Sequence, residues 1–207
     1  MSLAAQKRVS LSESLTRSAD NSAFYAALTT AGGVSDIGET AGYRAEPNYR
    51  LIRVDRQLDS DSLNEFEIAL VNDIELSVIY YVKVGLIHIP EVSKRNIANH
   101  QVWRSPSMCH SEALRDISQK VLLGYIAQLY ELLLADDAVL GDGKFYWHRQ
   151  VSRALELGFH VFSYDGIARA LRPIPTQRAL SDLEDQAWSS DHPRSLRALV
   201  SIFPLLE

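Results

Sequence analysis

The hydrophobic period of this chain changes once, at Ser105-Pro106-Ser107, and that change limits what the chain can fold into. Upstream the pattern is that of strands. Tyr49, Leu51, Arg53 and Asp55 alternate with Arg50, Ile52, Val54 and Arg56, which predicts a strand with one mixed face. Residues 65–71 predict a second strand, closed by Asn72-Asp73 as a hairpin turn. Residues 74–92 are apolar, β-branched and aromatic but too long for one ordinary strand. Gly85 is the natural place for a bulge or break. Residues 100–104 predict a fourth, shorter strand.

Downstream the period becomes helical. Leu114, Ile117, Val121, Tyr125 and Leu129 recur at three- and four-residue spacing, with Ser111 as N-cap and Glu112 suited to the first turn. Residues 132–135 then read as a short buried strand. A second helix over 144–157 carries a stripe of Trp147, Val151, Ala154 and Leu155, with Asp142 as its cap and Gly158 as its stop. Residues 159–164 predict another strand, ended by Asp165-Gly166.

Strands first, then alternating helices and strands, predict an α/β fold with a mixed, mostly antiparallel sheet flanked by helices. The core should include Leu114, Ile117, Val121, Leu133, Val151, Leu155 and Val161. Residues 48–207 form a single α/β domain on this reading. Residues 1–47 form an irregular N-terminal segment with one short helix near 21–30, capped by Asn21 or Ser22 and stopped by Gly32-Gly33. Residues 172–207 return as a final strand with a small helix.

Composition narrows the function. The chain has 207 residues, of which 46% are hydrophobic, enough for a sizeable core and too many for disorder throughout. One cysteine excludes an internal disulfide and a Cys-rich zinc module, and suits a reducing compartment. A formal net charge of −5 argues against a broad nucleic-acid-binding face. Residues 1–22 lack the apolar core of a secretory signal, and the most apolar run, 78–90, is interrupted by Lys83 and His88. The expected setting is therefore the cytoplasm, of a bacterium or phage-infected cell, with no membrane contact.

The order of elements, with the phrase Ala154-Leu155-Glu156-Leu157-Gly158-Phe159 running from helix into strand, resembles the GNAT acetyltransferase superfamily over residues 49–164. The stretch with Asp136-Asp137, Gly143 and Trp147 is similar to divergent members encoded by phages. The resemblance implies a split sheet, acetyl-CoA as cofactor and acyl transfer to a small amine or a protein. It also implies that the cofactor pyrophosphate meets backbone N–H groups before the central helix, around Ser107, Met108 and Ser111. The sequence departs from the family there: Arg104 to His110 contains no glycine, and Pro106 removes one donor. Where many members have a thiolate-protonating Tyr this chain has Ala154, and where an Asn often lies it has Trp147. The alternative is a non-catalytic protein-binding module, an accessory or inhibitor protein that kept the fold and lost the chemistry.

Two sets of side chains stand out. Tyr146, Cys109 and His110 are the candidate acid, base or nucleophile, since a thiol ahead of a helix ionises more readily. The plain alternative for Cys109 is a small semi-buried side chain. Asp142, Tyr146, His148, Arg149 and Arg153 mix aromatic, cationic and acidic groups on one helix and form the candidate partner surface. The plain alternative is a solvated polar face. No histidine pair has metalloprotease spacing, so no metal ligand is assigned. Asp136 and Asp137 are expected mainly as turn formers.

Overall fold

The computed structural model describes residues 11–44, 46–55, 64–139, 143–189 and 195–205. The chain divides into two compact units. One holds the chain up to Gly85 together with His100–Val121; the other holds Leu86–Asn99 and the chain from Leu122 onward. Among the described residues nine strands run in the order β1-β2-β3-β4-β5-β6-β9-β7-β8. The pairings give the mixed, mostly antiparallel α/β sheet expected from the pattern.

The first unit contains helix α1 (Ser18–Thr29) and strands β1 (Val34–Asp36), β2 (Tyr49–Val54) and β3 (Glu65–Asn72). It also holds most of β4 (Ser77–Ile87) and the latter part of β5 (Ile97–Arg104). β1, β2, β3 and β4 pair antiparallel in succession, with Tyr49 opposite Asn72 and Glu65 opposite Gly85. The expected break at Gly85 does not occur. The ladder irregularity falls instead between Leu70 and Val71, and the Lys83–Glu65 ion pair at 2.7 Å clasps the ladder beside Gly85.

Helix α1 starts earlier than expected, at Ser18, and neither Asn21 nor Ser22 caps it. Asn21 lies inside the helix and is buried. Its carboxamide accepts from the Val78 N–H at 2.6 Å and donates to the Val78 and Leu15 carbonyls at 3.0 and 2.7 Å. A helix side chain here satisfies both backbone groups of Val78, near the start of β4. Around it Leu15, Leu28, Ile52, Val54, Ala69, Val71, Val78, Tyr81 and Trp103 form one apolar cluster, with Phe24 edge-on to Tyr81 at 5.2 Å.

Ser111 is not the N-cap of the central helix, and that helix does not begin at Leu114. A single 3₁₀ turn, Met108–His110, is followed by irregular turns, and Asp116 adopts φ 54°, ψ 11°. A left-handed residue cannot propagate a right-handed helix, so regular structure begins one residue later. We label this helix α2: Ile117–Gln119 is α-helical, Lys120–Ile126 has π geometry, and Ala127–Leu129 returns to α. The wide π turns replace a single stripe with a broad buried face of Val121, Leu122, Leu123, Tyr125, Ile126 and Ala127, and they leave Leu129 47% exposed.

In the second unit β5 pairs with β6 (Glu131–Ala135) in parallel over three residue pairs, Ile97–Asn99 with Glu131–Leu133. β6 pairs antiparallel with β9 (Arg197–Ser201), and β9 with β7 (His160–Asp165). A hairpin strand unreadable in the sequence, β8 (Ala170–Pro173), completes the edge; its turn forms as the Asp165 carboxylate accepts from Ile167 and Ala168. Helix α3 (Gly143–Glu156) is followed by Gly158 at φ 80°, as its pattern predicts. Helix α4 (Gln177–Trp188) is capped by the Thr176 hydroxyl. Trp147 is fully buried, donates to the Leu134 carbonyl at 3.2 Å and meets Trp188 edge-on at 5.7 Å.

Six of the seven expected core residues are buried, and Leu155 is only partly so. It lies about 100° around the helix from Ala154, past the edge of the Trp147–Val151–Ala154 face. Asp142, the expected cap, lies outside the described residues. No helix among the described residues is long and apolar enough to cross a membrane.

Two stability outcomes follow from this packing. Ile117→Ala should cost about 2–5 kcal/mol and Leu155→Ala distinctly less, as read from denaturant midpoints. Asn21→Ala strands the Val78 N–H and two carbonyls and should cost about 1–3 kcal/mol. A wild-type midpoint in Asn21→Ala would show that the clamp contributes nothing.

Candidate functional site

In the first unit, the turn between β3 and β4 meets the start of β2 and the 3₁₀ turn. The Asn72 side chain accepts from the N–H groups of Ile74 and Glu75 at 3.0 and 3.1 Å, folding the turn inward, and Leu76 closes it at φ 50°. This sets the Glu75 carboxylate beside His110, with Oε2 3.5 Å from Nε2. His110 is 5% exposed, and its Nδ1 lies 3.0 Å from the Tyr49 hydroxyl. Cys109 is exposed and its Sγ lies 2.9 Å from Ser107 Oγ. One donor atom each from Glu75, Cys109 and His110 falls within 4.8 Å of the other two.

Burial raises the pKa of the Tyr49 hydroxyl; Asn72 opposes this by hydrogen bonding, and the nearby Glu75 and Cys109 charges reinforce it. Tyr49 is thus a neutral hydroxyl at the imidazole. Beside these groups lies a cavity of about 280 Å³ lined by Asn21, Glu75, Trp103, Ser105, Ser107 and His110 among others.

The structure therefore brings two of the three candidate catalytic residues together and adds Glu75 and Tyr49, which the sequence did not mark. It does not make Cys109 and His110 a nucleophile–base pair. Both ring nitrogens face other groups, and the thiol meets Ser107. Nor is Cys109 semi-buried or at the start of a long helix, because α2 begins at Ile117.

The segment expected to hold pyrophosphate has four of its N–H groups bonded to β4 or to the segment itself. The Ser105 N–H donates to Ile79 O at 2.8 Å, Ser107 N–H to Ser105 Oγ at 3.3 Å, His110 N–H to Ser107 O at 3.4 Å, and Ser111 N–H to Met108 O at 3.1 Å. Met108 is 81% exposed.

The candidate partner residues lie in the second unit, on α3. Tyr146 is half-buried, and Arg149 is exposed beside Phe145, which is 80% exposed. His148 pairs with Glu184 of α4 at 2.6 Å, and Arg153 with Glu156 at 2.7 Å. Asp142 is outside the described residues here too. Asp136 is a structural group of another kind than the expected turn former: its carboxylate reaches across to the far end of the chain, accepting from the Ser195 hydroxyl at 2.5 Å and the Leu196 N–H at 2.9 Å.

The turn that presents Glu75 is itself held by an ion pair. Arg50 donates twice to Asp73, at 2.5 and 2.7 Å, and the Tyr25 hydroxyl donates at 2.8 Å. Hydrogen bonding to Arg50 holds the Asp73 carboxyl below its usual value, against the opposing effect of burial, and Tyr25 adds to it. A carboxylate with a depressed folded-state pKa stabilises above its unfolded-state pKa and loses that contribution as the acid form returns. The midpoint gap between wild type and Asp73→Asn should be full at neutral pH and close as the pH falls below about 4. A gap independent of pH would remove the ion pair from the account.

No protein-family model matches this chain, no curated protein is similar to it, and no solved structure matches it.

Proposed function

We propose that this chain is a GNAT-like protein that acts as a protein-binding module and not as an acyl-CoA-dependent transferase. The scaffold half of the reading draws on the strand order. Strands β2 to β5 come first, then α2, then β6 parallel to β5 through a three-pair ladder, then α3 and β7. That is the order on which the resemblance rests.

The loss of transfer chemistry draws on one observation, the state of residues 105–111. A pyrophosphate needs several unpaired N–H groups converging on it, usually at a helix start. Here four of those N–H groups are committed within the chain, Pro106 has none, and α2 begins six residues beyond Ser111. Ser107, Met108 and Ser111 therefore make a poor cradle. Recognition would fall to the exposed side of α3, where Phe145 and Arg149 offer an aromatic anchor and a cation, with Tyr146, His148 and Arg153 alongside.

Thermal denaturation with and without acetyl-CoA separates the two readings. The binding-module reading expects no shift. Stabilisation approaching about 2.7 kcal/mol at 100 times the dissociation constant would instead establish an acyl-CoA site and return the chain to the transferases. In a pull-down from the native host, Phe145→Asp/Arg149→Glu should fold normally and lose the partner that wild type retains. Unchanged capture would move the contact surface away from α3.

A further inference from the structure

We propose that Glu75, Cys109 and His110 form a binding site for a divalent transition metal of the zinc type, with a fourth position open to the adjoining cavity. Among the described residues this is the one set of three ligand-type side chains whose donor atoms converge within 4.8 Å. It combines oxygen, sulfur and nitrogen, a mixture that suits borderline-soft Zn²⁺ better than Mg²⁺ or Ca²⁺, which take oxygen. The inference does not depend on the binding-module reading.

The separation of Glu75 and His110 is informative. A charge-assisted N–H···O bond closes to about 2.7–2.9 Å. Oε2 and Nε2 stand at 3.5 Å. Two ligands each about 2.0–2.1 Å from a tetrahedral zinc lie about 3.4 Å apart, by the geometry of the tetrahedron. The pair is thus too far apart for a good hydrogen bond and well placed for a shared ion. Cys109, exposed in the middle of its turn with Sγ within 4.8 Å of the other two donor atoms, needs only a small side-chain movement to bring Sγ to a zinc–sulfur distance of about 2.3 Å.

Each ligand also has the support that metal ligands have. The other nitrogen of a ligating histidine normally donates to a protein oxygen, which fixes its tautomer. Nδ1 of His110 faces the Tyr49 hydroxyl at 3.0 Å, leaving the Nε2 lone pair for the metal. Ser107 Oγ stands 2.9 Å from Sγ, where its proton can be donated to a thiolate. Glu75 is set by the Asn72 turn. On binding, the metal replaces the Cys109 thiol proton, which passes to solvent. Three protein ligands and a space of about 280 Å³ beside two of them match a site that keeps water or a small ligand on the metal, not a closed structural one.

The test uses the tag-free full-length chain, stripped with a chelator, kept reduced and titrated with Co²⁺. The expected result is one equivalent bound, with a thiolate-to-cobalt charge-transfer band and the visible bands of tetrahedral cobalt, both displaced by Zn²⁺. His110 is buried and its replacement risks the fold, so the variants are Cys109→Ser, Glu75→Gln and Tyr49→Phe, each checked by its denaturation curve. Cys109→Ser should abolish the charge-transfer band, and Glu75→Gln should weaken affinity at least about tenfold. Tyr49→Phe, which removes only the hydroxyl supporting the imidazole, should weaken it about 10–100-fold. No charge-transfer band at stoichiometric cobalt would overturn the site. So would a band that persists in Cys109→Ser, or an affinity unchanged in Glu75→Gln and Tyr49→Phe, which would mean a lone thiolate binding on its own.

Discussion

The geometry of the candidate site depends on the hydrogen bonds by which Asn72 folds the β3–β4 turn. Asparagine at the end of a strand can satisfy following N–H groups with its own carboxamide, which replaces continued pairing with a tight reversal. Here it bonds Ile74 and Glu75, and the register places Tyr49 directly across from it. One residue therefore sets the carboxylate and lies opposite the hydroxyl that flank His110. Asp73, the next residue, anchors the same turn to β2 through Arg50 and to α1 through Tyr25.

The third part of that arrangement comes from the failure of a helix to start. Leu114 and Ile117 are buried as a helical stripe would have them, yet the chain between Ser107 and Asp116 uses a 3₁₀ turn and irregular turns. This irregular passage serves the site in two ways. It commits the N–H groups of Ser105, Ser107, His110 and Ser111 to acceptors within the protein. It also turns Cys109 outward while His110 is buried. In a continuous helix those N–H groups would point along the axis as an anion site.

The same logic governs the second unit on a smaller scale. Trp147 has an indole N–H that must find an acceptor when fully buried, and the Leu134 carbonyl of β6 supplies it. Gly143 fits because a Cβ there would collide with the Asp136 carbonyl. Asp136 in turn holds Ser195 and Leu196 as the chain enters β9. The Asp-rich loop, expected from the sequence as a turn, is at Asp136 a brace between the end of β6 and the start of β9.

Much of the fold was legible because hydrophobic period is a local property. The strands at Tyr49 and Glu65, the helix ending before Gly158 and the Asn72-Asp73 turn all follow from spacing along the chain. What was not legible had no period to read. β1 is three residues long, β8 contains Arg172 and Pro173, and the left-handed Asp116 carries no mark that distinguishes it from a helical aspartate. The sequence by itself determined the α/β class, six of the seven core positions it marked and the pairing of chemical types at Cys109-His110. Only the tertiary structure decided that Glu75, 34 residues earlier in the chain, and Tyr49 complete that pair. The physical reason is that a site is a coincidence of atoms in space, fixed by strand register and two turns. Neither the register between β2 and β3 nor the path from Ser107 to Asp116 is written in any local spacing of residues.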